Sequence, residues 1–104
     1  MKLLKLTPAG SCSVVEIEEH DLDRQIDQMC QCIGCSTIEI VRLPCTDGCL
    51  VVDECGLLKK DPQLNAAATI LAEHPIVGTA LLGSIRHTED GDVIAGYQGC
   101  WMLD

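Results

Sequence analysis

The sequence predicts an α+β domain: an antiparallel or mixed sheet of five to six strands, with two helices packed on one face. Two observations lead there. Short apolar, β-branched runs recur between glycine, proline and Asp-Gly turn signals. Two longer stretches carry apolar residues at helical spacing, each preceded by an aspartate suited to an N-cap. No repeat or linker interrupts them, so residues 1–104 are expected as a single domain.

Lys2 to Thr7 reads as a first strand, and Pro8-Ala9-Gly10-Ser11 as the turn after it. Ser13 to Glu18 follows as a second strand, with Val15 and Ile17 on one face and Val14, Glu16 and Glu18 on the other. Asp21 caps a helix from Leu22, whose apolar stripe is Leu22, Ile26, Met29, Cys30 and Ile33. Asp23, Arg24, Asp27 and Gln28 fall on its wet side, and Gly34 suits a left-handed C-terminal cap. Thr37 to Leu43 is a third strand, with Ile38, Ile40 and Arg42 on one face and Glu39, Val41 and Leu43 on the other. The Asp47-Gly48 turn returns the chain antiparallel as Cys49 to Asp53.

Asp53-Glu54-Cys55-Gly56 breaks that strand. Asp61 before Pro62 reads as N-cap and first helical position, ahead of Leu64, Ala67, Ala68, Leu71 and Ala72 at helical spacing. His74-Pro75 stops the helix, and the apolar run Ile76 to Leu82 is expected as a central strand covered on both faces. Arg86 to Gly91 reads as a polar loop and Val93 to Ala95 as a short last strand.

Three motifs in this part of the chain carry a likeness: Asp53-Glu54-x-Gly56-Leu57, Pro62-x-x-Asn65 with Ala68, and Ile76-Val77-Gly78-Thr79-Ala80. Together they resemble the domain of unknown function 3846 family, short proteins found largely in bacteriophages and in genomes that carry prophages. The likeness reaches more weakly to the first strand and to the Ile38-to-Leu43 strand. It implies a fold and a phage setting, and none of its residues forms a known catalytic signature.

Seven Lys plus Arg against 16 Asp plus Glu give a net charge of −9, which disfavours nucleic-acid and anionic-membrane partners. Phenylalanine is absent and Tyr97 and Trp101 are the only large aromatics, so the chain offers almost no base-stacking platform either. Met1-Lys-Leu-Leu-Lys-Leu6 is too short for a signal core and no run approaches a membrane span, so the expected location is the cytoplasm, with thiols reduced.

Of eight cysteines, Cys30-x-Cys32-x-x-Cys35 and Cys45-x-x-x-Cys49 with Cys55 have the look of a two-segment zinc site, but positions two apart on a helix point apart. Cys30 also fits as a small buried hydrophobe. No metal, no cofactor and no catalytic residue is expected: His20, His74 and His87 have no triad companions, and Asp53 with Glu54 reads more simply as turn chemistry. The candidate ligand site is Lys59, Lys60 and Asn65, two ammonium groups before a helix start, where free amides and the helix dipole favour an anion. Arg86 and His87 can join it from an adjacent subunit. The plain alternative is solvated lysines and an asparagine that holds the fold.

The phage setting implied by the resemblance suggests a non-catalytic sponge that sequesters a small nucleotide-type immune signal of the host. The alternative is an acidic inhibitor or nucleic-acid mimic that blocks a basic host protein, for which the run Glu16, Glu18, Glu19, Asp21, Asp23 and Asp27 speaks. A small zinc-binding module is the third reading. Trp101, Met102 and Leu103 place exposed-prone apolar bulk at the end of the chain, from which a homo-oligomer is expected.

Overall fold

The computed structural model of the chain describes residues 1–44 and 46–96. Strands β1 (Lys2–Leu6) and β2 (Cys12–Glu16) form the opening hairpin and lead into α1 (Leu22–Ile33). β3 (Ile38–Arg42) and β4 (Gly48–Asp53) form a second hairpin. A 3-10 turn at Gly56–Leu58 precedes α2 (Ala66–Ala72), and β5 (Ala80–Thr88) and β6 (Gly91–Ala95) complete the chain. The six strands make one antiparallel sheet in the order β2-β1-β5-β4-β3, with β6 paired to β5. β1 takes Ala80 to Leu82 of β5, and β6 takes Ser84 to Thr88 of the same strand. The fold is α+β with six strands and two helices, as the sequence predicts. No helix among the described residues is long and apolar enough to cross a membrane.

The helices do not share a face. Leu4, Leu82 and Leu50 stand side by side across three strands, and α2 covers them with Ala68 and Ala72. Their neighbours Leu3, Leu81 and Val51 point the other way, where α1 brings Met29. β4 and β5 are buried on both faces, from Gly48 to Val52 and from Ala80 to Ile85, so each face needs its own cover. One helix goes to each.

Most strand limits shift by one or two residues, and three readings differ by more, each for a physical reason. α2 starts at Ala66 and is capped by Asn65, whose Oδ1 accepts from the Ala68 amide at 3.1 Å. Asp61 is not the cap. It sits in a left-handed turn at φ 58°, and Leu64 leaves helical geometry to bridge Val77. β5 begins at Ala80 rather than Ile76 because Gly78, at φ 77°, bends the backbone just before it. The expected loop from Arg86 to Gly91 is mostly strand: Arg86, His87 and Thr88 pair with Val93, Asp92 and Gly91.

α1 has the expected limits. Asp21 accepts from the Arg24 amide at 3.2 Å, and Gly34 caps the far end at φ 82°. Its rotation is not the expected one. Gln25 and Met29 are buried, while Leu22 and Ile26 remain 66% and 38% exposed. Two glutamines set that rotation: Gln25 Nε2 donates to Glu18 O at 3.0 Å, and Gln28 Oε1 accepts from the Glu18 amide at 2.7 Å.

Candidate functional site

The Lys59–Asn65 corner is built where β4 ends. Asp53 Oδ1 accepts from the Cys55 amide at 2.9 Å and turns the chain, while Oδ2 takes Lys59 Nζ at 2.6 Å. Lys59 also donates to Gly34 O at 3.2 Å, tying the end of α1 to the end of β4. Burial pushes the Asp53 carboxyl up, but the Lys59 ammonium and the Cys55 amide outweigh it and hold the group below the usual carboxylate range. The Asp53 side chain is only 6% exposed. Lys59 is therefore committed to the fold.

Asn65 is committed more fully. It is 0% exposed, caps α2 through its oxygen, and donates from Nδ2 to Leu6 O at 3.0 Å and to Gly78 O at 2.9 Å. Every hydrogen-bonding atom of the amide but one proton-acceptor lone pair has a partner in the fold. One of the amides at the start of α2, that of Ala68, is occupied by Asn65 itself. Lys60 is the exposed cation that remains at this corner, beside a hollow of about 320 Å³ lined by Gly56, Asp61, Gly78 and Thr79.

Arg86 and His87 stand elsewhere, on the outer half of β5. His87 Nδ1 meets Asp92 Oδ1 at 2.6 Å, and Arg42 pairs with the same carboxylate. The His87 and Arg42 hydrogen bonds hold the Asp92 carboxyl below its ordinary value. Neither residue lines the hollow beside Lys60, so one copy of the chain does not bring the five expected site residues together.

A hollow that the sequence reading missed lies beside α1. It measures about 510 Å³, and its apolar lining includes Leu22, Ile26, Ile38, Ile40 and Ile94. Glu19, Asp90 and Asp92 stand around it, with His20 and Arg86 as the basic members of its lining. The helical spacing of Leu22 and Ile26 matches that of core residues, so periodicity alone assigns them to the interior. Leu22 shares its side of the helix with buried Met29, so its exposure follows from its place in the first turn, and that of Ile26 from a rotation that buries Gln25 instead.

Cys30, Cys35 and Cys55 line a third hollow, of about 670 Å³, with Asp53 and Lys59. Among the described residues no three His, Cys, Asp or Glu side chains are placed to hold a metal ion. Cys45, part of the suspected zinc spacing, lies outside the described residues, as do Trp101, Met102 and Leu103. Cys49, within β4, is wholly buried, and burial pushes its thiol up to about 11.

A family model described as a domain of unknown function, DUF3846, matches residues 1–96. The chain belongs to the DUF3846 family. No curated protein and no solved structure matches it. In this DUF3846 member, the motifs that carry the likeness meet in space. Asn65 holds Gly78, a Cβ on Gly56 would come within 3.0 Å of Val77 Cγ2, and Asp53 turns the chain between them. These contacts account for much of the motif through the fold.

Proposed function

We propose that the chain is a non-catalytic, acidic protein-interaction module that takes a basic amphipathic segment of a partner protein into the hollow beside α1. One observation carries this reading: Leu22 and Ile26 stand exposed at the margin of the packed face of α1, beside Ile40, which is 45% exposed, and next to Glu19 and Asp90. An apolar floor with an acidic margin complements a segment with apolar residues on one face and lysine or arginine around them. The net charge of −9 draws such a partner from a distance and opposes a second copy of this chain, which brings the same acids. Blocking a basic host protein in this way suits a phage-type anti-defence role.

Titration with a synthetic amphipathic helix of leucine and lysine tests the reading. Binding is expected to weaken as salt rises, and Leu22→Ser with Ile26→Ser should weaken it at least tenfold, because the apolar contact rather than charge alone then decides affinity. Equal binding by the double variant, or none by the native chain, overturns it.

The second reading is sequestration of a small nucleotide-type ligand, and the hollow beside Lys60 supports it. Lys59 is already paired with Asp53, and Asp61 lines the same hollow, so a phosphate there gains from Lys60 and from whatever a second subunit brings, such as Arg86 and His87. Calorimetry with cyclic nucleotides and ADP-ribose derivatives decides: binding that Lys60→Ala abolishes supports sequestration, and silence removes it.

A further inference from the structure

The C-terminal cap of α1 places two thiols together. Gly34 is the left-handed residue that ends the helix, and the Cys35 amide donates back to Cys30 O at 3.0 Å. The Gly34 amide donates to the same oxygen at 2.8 Å, so the cap joins the 6→1 bond of the Schellman motif to the αL bond, and in such caps the residue after the glycine and the residue four before it are frequently in side-chain contact. Those two residues are Cys35 and Cys30. In most such caps the contact is between hydrophobic side chains; here both members are thiols, and both line the same open hollow. Lys59 donates to Gly34 O between them, holding the cap from outside.

We propose that Cys30 and Cys35 form a reversible dithiol–disulfide site that a low-molecular-weight disulfide of the glutathione type oxidises. The thiolate of one cysteine attacks a sulfur of the small disulfide, forming a mixed disulfide and releasing one small thiol. The second cysteine loses its proton and attacks the protein sulfur of that mixed disulfide, expelling the second small thiol. Two protein thiols and one small disulfide thus become one protein disulfide and two small thiols. A backbone bond across the cap holds the two residues close in the chain's fold, as closing a disulfide requires. Burial, and then the neighbouring Cys30 sulfur, push the Cys35 thiol up to about 11, so exchange at this pair quickens as the solution is made alkaline.

The other described thiols are less well placed for this pairing: Cys12 stands exposed at the start of β2 and does not line this hollow. Cys32 packs against the core around Leu3 and Met29, and Cys49 is buried. Cys55 lines the same hollow from the turn after β4, which makes it the competitor to watch.

The test is mass spectrometry of the whole native chain after incubation with oxidised glutathione and blocking of the remaining thiols. The peptide that spans both cysteines should be lighter by two hydrogens, with neither Cys30 nor Cys35 blocked. Cys32→Ala should keep that loss, while Cys30→Ser and Cys35→Ser should each abolish it and leave a glutathione adduct on the remaining partner. Circular dichroism of each variant shows that it is folded, and if one fails to fold, the native chain and the other two variants decide. A loss of hydrogens that survives Cys30→Ser or Cys35→Ser, a bridge from either residue to any other cysteine, or glutathione adducts alone on the native chain would overturn the site.

Discussion

Asn65 donates from Nδ2 to the Gly78 carbonyl at 2.9 Å, which joins the start of α2 to the bend before β5. The same nitrogen reaches Leu6 O at 3.0 Å, so one amide ties helix, bend and first strand together. All three partners are backbone groups, and Asn65 has no exposed surface through which water could replace it.

Asn65→Ala should therefore cost about 2–4 kcal/mol, since it leaves buried carbonyls unpaired and removes a helix cap. Asn65→Asp keeps the capping oxygen and loses both donors, so it separates the two contributions. Urea unfolding measures each. A midpoint unchanged in both variants would remove Asn65 from this structural role.

Gly83→Ala is expected to destabilise by about 1–3 kcal/mol. Gly83 lies where β1 gives way to β6 along β5, and a Cβ there would stand 2.7 Å from Leu3 Cδ2 and 2.9 Å from Ala95 O. The leucine tip can turn aside, but the backbone oxygen cannot without shifting β6. Thermal unfolding that matches the native chain would show that the strands part at little cost.

Where capping chemistry was local, the sequence revealed the element. Asp21 and Gly34 bound α1 on both sides, and the helix has those limits. Asp61-Pro62 carries an equally good local signal, yet Asn65 caps α2, because only Asn65 can also satisfy Leu6 O and Gly78 O from distant segments. The apolar runs of β4 and β5 made their burial legible, whereas which helix covers which face depends on the sheet order and leaves no local trace. The hollow beside α1 stayed hidden for a related reason: Gln25 and Gln28 bind the Glu18 backbone and turn Ile26 outward, Leu22 stands in the exposed first turn, and nothing in their spacing announces either.

The Asp53–Lys59 pair has a pH signature with a definite sign. Folding lowers the Asp53 pKa, so the folded state favours the carboxylate, and the stabilisation is complete above the unfolded value of about 3.9. It is lost as pH falls through the lower, folded value. Asp53→Asn should thus be less stable than the native chain at neutral pH, with the gap narrowing at pH values below the ordinary carboxylate range. Urea midpoints at pH 7 and near pH 2 check this, and an equal gap at both would show that the charge contributes nothing.

Met29 and Leu22 share the apolar spacing of α1 but not its burial, and their substitutions should separate accordingly. Met29 is 0% exposed against Leu3, Val51 and Leu81, so Met29→Ala opens a cavity at a cost of about 2–5 kcal/mol. Leu22 is 66% exposed, so Leu22→Ser should change stability by no more than about 0.5 kcal/mol. The same contrast carries the functional reading, because a leucine that the fold does not need is available to a partner. Chemical unfolding of both variants decides: if Leu22→Ser destabilises as much as Met29→Ala, the first turn of α1 is packed in solution and the hollow beside it is closed.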